Sequence, residues 1–99
     1  MKAYKILINA QNILTEADGK ICYYGLYTTR LVLANDHETA IHKAIDLIKN
    51  EENFKILALN SADDPPRINV EGIEEVDQDL YSNRKFGGYT LYPEDNTTH

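Results

Sequence analysis

Ile21-Cys22-Tyr23-Tyr24-Gly25-Leu26-Tyr27-Thr28-Thr29-Arg30-Leu31-Val32-Leu33-Ala34 is the stretch on which the fold turns. Its aromatic and β-branched side chains mark a long strand. Odd positions carry Ile21, Tyr23, Tyr27, Leu31 and Leu33, and even positions carry Cys22, Tyr24, Leu26, Val32 and Ala34, with Arg30 as their one charge. Side chains of a strand alternate between faces, so both faces here are largely apolar or aromatic. One face belongs to the core. The other requires a covering segment, a ligand or another protein.

Upstream, Tyr4, Ile6 and Ile8 alternate cleanly before the pattern fades through Asn9, Gln11 and Asn12. The Asp18-Gly19 pair that follows suits a tight hairpin, because glycine tolerates the positive φ such turns need. These two segments predict a long β-hairpin, bent near Gly25, where a missing side chain permits a bulge or close approach.

Downstream, Asn35 with Glu38 three residues later forms a capping-box-like start. Ala40, Ile41, Ala44, Ile45, Leu47 and Ile48 then recur at helical spacing, predicting an amphipathic helix to about Asn50. The run 54–60 fits a strand or a short helix equally. Pro65-Pro66 interrupts regular structure. A strand follows from Arg67 to Val76, in which a bulge at Gly72 would return Ile73 to the face of Ile68 and Val70. Residues 77–85 read as a polar loop. Gly88 to Tyr92 reads as an edge strand or as a segment folded back over the sheet. The order predicts an α+β fold, a mainly antiparallel sheet with the helix on one face. Residues 1–92 are expected as one domain and 93–99 as a disordered tail.

Composition bounds function. The 99 residues carry a net charge of −6, distributed as +1 over residues 1–50 and −7 over 51–99. Five acids, Glu71, Glu74, Glu75, Asp77 and Asp79, lie within nine residues. Nucleic-acid and anionic-membrane binding draw on Lys and Arg, so neither partner is expected. The lone Cys22 cannot close an internal disulfide; in an apolar strand it reads as a buried small hydrophobe. With only a very short apolar run at the N-terminus, a cytoplasmic protein is the expectation.

The segments Tyr24–Arg30, Pro65–Glu75 and Gly87–Tyr92 together resemble a pattern in a family of small uncharacterised bacterial proteins. The resemblance implies a bacterial cytosolic origin and carries over no functional residue.

No motif for catalysis or cofactor binding emerges. Glu38, His42 and Asp46 share a helix face at metal-ligand spacing but read as a solvated face. Asp77-Gln78-Asp79 opens like a calcium loop, yet Ser82 and Gly88 stand where glycine and glutamate are needed. No metal and no cofactor is therefore expected. Arg30 is the charge of most interest. It shares parity with Tyr24 and is read as an anion-binding group in a tyrosine-walled pocket, as a charge at an edge position, or as the partner of an acid such as Glu71.

The interface or ligand candidates are Tyr23, Tyr24, Tyr27, Arg30, Glu71, Glu74, Glu75, Tyr89 and Tyr92. The reading that follows is a non-enzymatic protein-interaction domain, self-associating as a homodimer through its sheet. Its alternatives are an acidic inhibitor or immunity-type protein that blocks a basic partner, and a small enzyme or ligand-binding domain with a Tyr24/Arg30 pocket.

Overall fold

A computed structural model describes residues 1–82 and 88–94. The second part of the polar run, 83–87, and the tail 95–99 lie outside the described residues. β1 (Lys2–Ala17) and β2 (Lys20–Ala34) form the long hairpin. Asp18 and Gly19 both take positive φ, 54° and 79°, the geometry of a two-residue turn whose twist matches its strands. β3 (Arg67–Val76) pairs with the other edge of β1, and β4 (Thr90–Pro93) pairs with β2. All pairs are antiparallel, in the order β3-β1-β2-β4. The predicted α+β architecture is the observed one.

Helix α1 (His37–Asn50) packs on one face of the sheet. Its cap lies one residue later than the capping box suggested. The Asp36 carboxylate accepts from the Thr39 amide at 2.8 Å, and that bond holds the acid below its usual pKa. Ala40, Ala44 and Ile48 are the buried ridge, Ile41 and Ile45 flank it half-buried, and Leu47 is largely exposed. Small alanines at the first two ridge positions let the helix lie close to the strands. The ambiguous run after it begins as a helix: α2 (Glu52–Leu57) drops Phe54 into the core, and 58–60 lie beyond its end. Within the run expected as a loop, residues 78–82 form a short helix, α3 (Gln78–Ser82), anchored where the Gln78 amide donates to the Met1 carbonyl.

Register decides which side chains meet the helix. Tyr4, Ile6, Ile8 and Ala10 of β1 face it, as do Leu26, Thr28, Arg30, Val32 and Ala34 of β2. The β1–β2 ladder slips between Ala10 and Ile13, where Asn12 takes φ 61°, and Ile13 and Thr15 thereby return to the buried side. This bulge sits on β1 opposite the Gly25 region, where the bend was expected. The β1–β3 ladder slips between Leu7 and Ile8, leaving Glu71 unpaired and setting Ile73 against Ile6. Gly72 permits that slip, as its sequence position suggested.

The burial expected of Cys22 is not observed. Cys22 is exposed, because the hairpin extends beyond the reach of α1 and leaves the strand ends in solvent. The C-terminal segment keeps contacts through Pro93, which closes β4, and Glu94, whose amide donates to the Tyr23 carbonyl at 3.1 Å.

Candidate functional site

Arg30 points onto the helix-covered face, 6% exposed, beneath the junction of α1 and α2. Glu51 ends α1 and precedes α2, and an extended backbone there aims its side chain down at the sheet. Arg30 donates from Nε to Glu51 Oε2 at 2.8 Å and from Nη2 to Oε1 at 2.7 Å. Its Nη1 donates to the Thr29 carbonyl at 3.0 Å and to Thr28 Oγ1. Tyr89 lies over the guanidinium, 5.4 Å from ring centroid to Cζ, and its hydroxyl donates to Glu51 Oε1 at 2.5 Å. Thr28 Oγ1 reaches the Gly88 carbonyl at 2.6 Å, and Phe54 meets the Tyr89 ring edge-on at 6.4 Å.

The electrostatics follow from this geometry. Partial burial pushes the Glu51 carboxyl upward, but hydrogen bonds from Arg30 and Tyr89 and the guanidinium charge outweigh it and hold the acid below its usual range. Burial and the Glu51 carboxylate push the Tyr89 phenol up to about 12. Every nitrogen of Arg30 is engaged within the chain, so no bidentate fork remains for an incoming anion. The acid that meets Arg30 is Glu51, not Glu71, which lies on β3 beyond β1. Tyr24, six residues along the strand and therefore about 20 Å away, does not share the site; its phenol lies beside Cys22 and is raised by it. The structure does not assemble a Tyr24/Arg30 pocket.

The remaining tyrosines have separate tasks. On the back of the sheet Tyr92 lies across Gly25, where an added Cβ would fall 2.2 Å from its ring. Its ring meets Tyr27 at 5.5 Å, and its hydroxyl accepts from buried Asn9 Nδ2 at 2.9 Å. Tyr23 donates to Asp64 at 2.8 Å, and Asp64 also accepts from Asn12 Nδ2 at 2.9 Å. Bonds from Asn12 and Tyr23 hold the Asp64 acid low, and the same contact raises the Tyr23 phenol. Asn60 spans the bulge, donating to the Asn12 carbonyl and accepting from the Leu14 amide, while the Glu94 carboxylate accepts from the Asn12 amide. Asn9, Asn12, Glu51, Asn60 and Asp64 were not among the sequence candidates. The fading alternation at Asn9 and Asn12 was their one local signal.

The acids lie together at one margin of the molecule. β3 is an edge strand, and among the described residues none of its backbone groups bonds on the side away from β1. Glu71, Glu74 and Glu75 are exposed along it; Lys5 reaches Glu74 at 3.4 Å, and Lys2 lies 4.0 Å from Glu75. An open groove of about 740 Å³ continues the acidic margin past Asp77 and Asp79 to Leu80. On the back face Leu7 is 40% exposed and Tyr27 42%, and Gly72 stands directly opposite Leu7 on β3.

Among the described residues no group of three or more His, Cys, Asp and Glu is placed to hold a metal ion. Nor is any described helix long and apolar enough to cross a membrane. No family model matches the chain, and neither a curated protein nor a solved structure is significantly similar to it.

Proposed function

We propose that this chain is a non-enzymatic protein-interaction domain that receives a basic, extended segment of a partner along the outer edge of β3. The unpaired margin of that ten-residue strand carries the reading. A strand added there would gain main-chain hydrogen bonds, while Glu71, Glu74 and Glu75 favour lysine and arginine on the incoming chain. The same charges oppose self-pairing at this edge. A two-fold antiparallel β3–β3 contact centred on Gly72 and Ile73 sets Glu71 of each copy against Glu74 or Glu75 of the other, and like charges directly opposite are destabilising. This is the acidic-inhibitor reading with its surface specified.

An extended peptide alternating lysine and valine tests it by titration into labelled protein. Binding should shift the β3 amides, weaken with salt, and fall at least tenfold in Glu74→Lys/Glu75→Lys, with little change in stability because exposed charges contribute little. Equal affinity for the double variant, or shifts confined to other elements, would remove the proposal.

The exposed pair Leu7 and Tyr27 favours a second reading, self-association through the back of the sheet. Two such faces related by a two-fold axis would need to bury at least about 1,000 Å² in total. Sedimentation at micromolar concentration decides it. A dimer should dissociate in Leu7→Lys, and a wild-type monomer throughout would end this reading.

A further inference from the structure

Between α2 and the start of β3 lies a groove of about 380 Å³, lined by Phe54, Ala58, Pro65, Pro66 and Ile68. Its charged lining residues are Lys49, from the last turn of α1, and Lys55, from the last turn of α2. Two lysines around an apolar trough stand out in a chain of net charge −6. The acids of the adjoining loop are not in the lining: Asp63 accepts from Ser61 Oγ at 2.6 Å, and Asp64 is held by Asn12 and Tyr23. Neither lysine forms an ion pair among the described residues. The volume falls within the roughly 300–1,000 Å³ of small-molecule sites, and an apolar lining with a few convergent charges is their usual make-up.

We infer that this groove is a binding site for a small amphipathic carboxylate, a straight-chain acid whose tail lies along Phe54, Ala58 and Ile68 and whose head group meets Lys49 and Lys55. The chemistry divides between the two parts. The tail supplies affinity in proportion to the apolar surface it removes from water, and the lysines supply the preference for an anion. Neither part depends on the acidic edge of β3, so the site stands independently of the function proposed above.

Hexanoate, octanoate, octanol and octyltrimethylammonium, each titrated below its aggregation concentration and followed by amide shifts, test the inference. Affinity should rise about fourfold for each added methylene. Octanoate should bind at least threefold tighter than octanol, and octyltrimethylammonium weakest of all. Shifts should centre on Phe54, Ala58 and Ile68. The exposed substitutions Lys49→Glu and Lys55→Glu should bring octanoate to or below the affinity of octanol while leaving octanol unchanged. Equal binding of the acid and the ammonium compound, shifts centred on Leu7 and Tyr27 instead, or no binding of octanoate would each overturn it.

Discussion

Arg30 and Glu51 meet as a two-pronged ion pair, 2.7 and 2.8 Å apart, with the Tyr89 ring over the guanidinium and its hydroxyl on the same carboxylate. One residue comes from the middle of β2 and the other from the junction of two helices. The contact therefore ties the sheet to both helices and to the segment that leads into β4.

Removing one partner leaves the other charge without compensation. Glu51→Ala should destabilise the protein by about 2–3 kcal/mol, since breaking this half-buried pair strands Arg30, itself 6% exposed, in a poorly solvated position. Arg30→Met/Glu51→Leu should recover most of that loss, because an apolar pair of similar volume avoids desolvation altogether. Urea unfolding of the two variants measures both numbers. A Glu51→Ala protein as stable as the wild type would show that solvent, rather than Glu51, satisfies Arg30.

The same cluster sets a pH dependence at each end of the scale. Glu51 has a lowered pKa in the folded state, so its contribution is present above the ordinary glutamate value of 4.5 and is lost as pH falls through the folded value. Tyr89 is raised from 10.0 to about 12, so its contribution is complete below pH 10 and is lost as pH rises toward 12. An absorbance titration of the phenols should show a late-ionising tyrosine that Tyr89→Phe removes. Tyr23 and Tyr24 are raised as well, so the decisive result is amplitude: if Tyr89→Phe leaves the absorbance change near pH 12 undiminished, the assignment of that phenol is wrong.

Along α1 the cost of truncation should follow burial rather than hydrophobicity. Ile48 is fully buried and Ile45 only half so, though both are isoleucines on the same apolar stripe. Ile48→Ala should cost about 3 kcal/mol, within the usual range for emptying a core position, and Ile45→Ala clearly less. Leu47→Ala should be close to neutral. Thermal or urea melts of the three variants give the order, and a reversed order would mean that the helix is rotated about its axis.

Much of this fold is legible locally. Asp18-Gly19 states its turn, the isoleucine and alanine spacing states α1, and the parity conflict around Gly72 states the β3 bulge. What was not legible depends on distant partners. No local pattern links Arg30 to Glu51, 21 residues apart, because both lie within ordinary strand and helix sequence. Asn12 reads as a fading strand; its bulge makes sense only with Asn60, Asp64 and Glu94 around it. Cys22 reads as buried because composition reports an apolar neighbourhood, whereas exposure is set by how far α1 extends over the hairpin. The acidic run at Glu71 was visible, but its position on an unpaired sheet edge required the strand order.

Gly25 and Tyr92 should behave as one unit. The tyrosine ring occupies the space that a side chain at position 25 would fill, 2.2 Å from an ideal Cβ, so Gly25→Ala must push the ring away. That movement breaks the bond to Asn9 and the contact with Tyr27, and it loosens the four-residue β4 whose register pairs Gly25 with Tyr92. Gly25→Ala should cost about 1–3 kcal/mol, typical of overfilling a close contact. Tyr92→Ala should also destabilise, by removing the ring and its hydrogen bond. With the ring already gone, adding Gly25→Ala should do little further harm, so the double variant should be more stable than the sum of the singles by about 1 kcal/mol or more. Hydrogen exchange supplies an independent readout, since the amides of Thr90 and Tyr92, which face β2, should lose protection in Gly25→Ala while those of α1 keep theirs. Strict additivity in the cycle, with β4 protection unchanged, would mean that Tyr92 does not rest on Gly25.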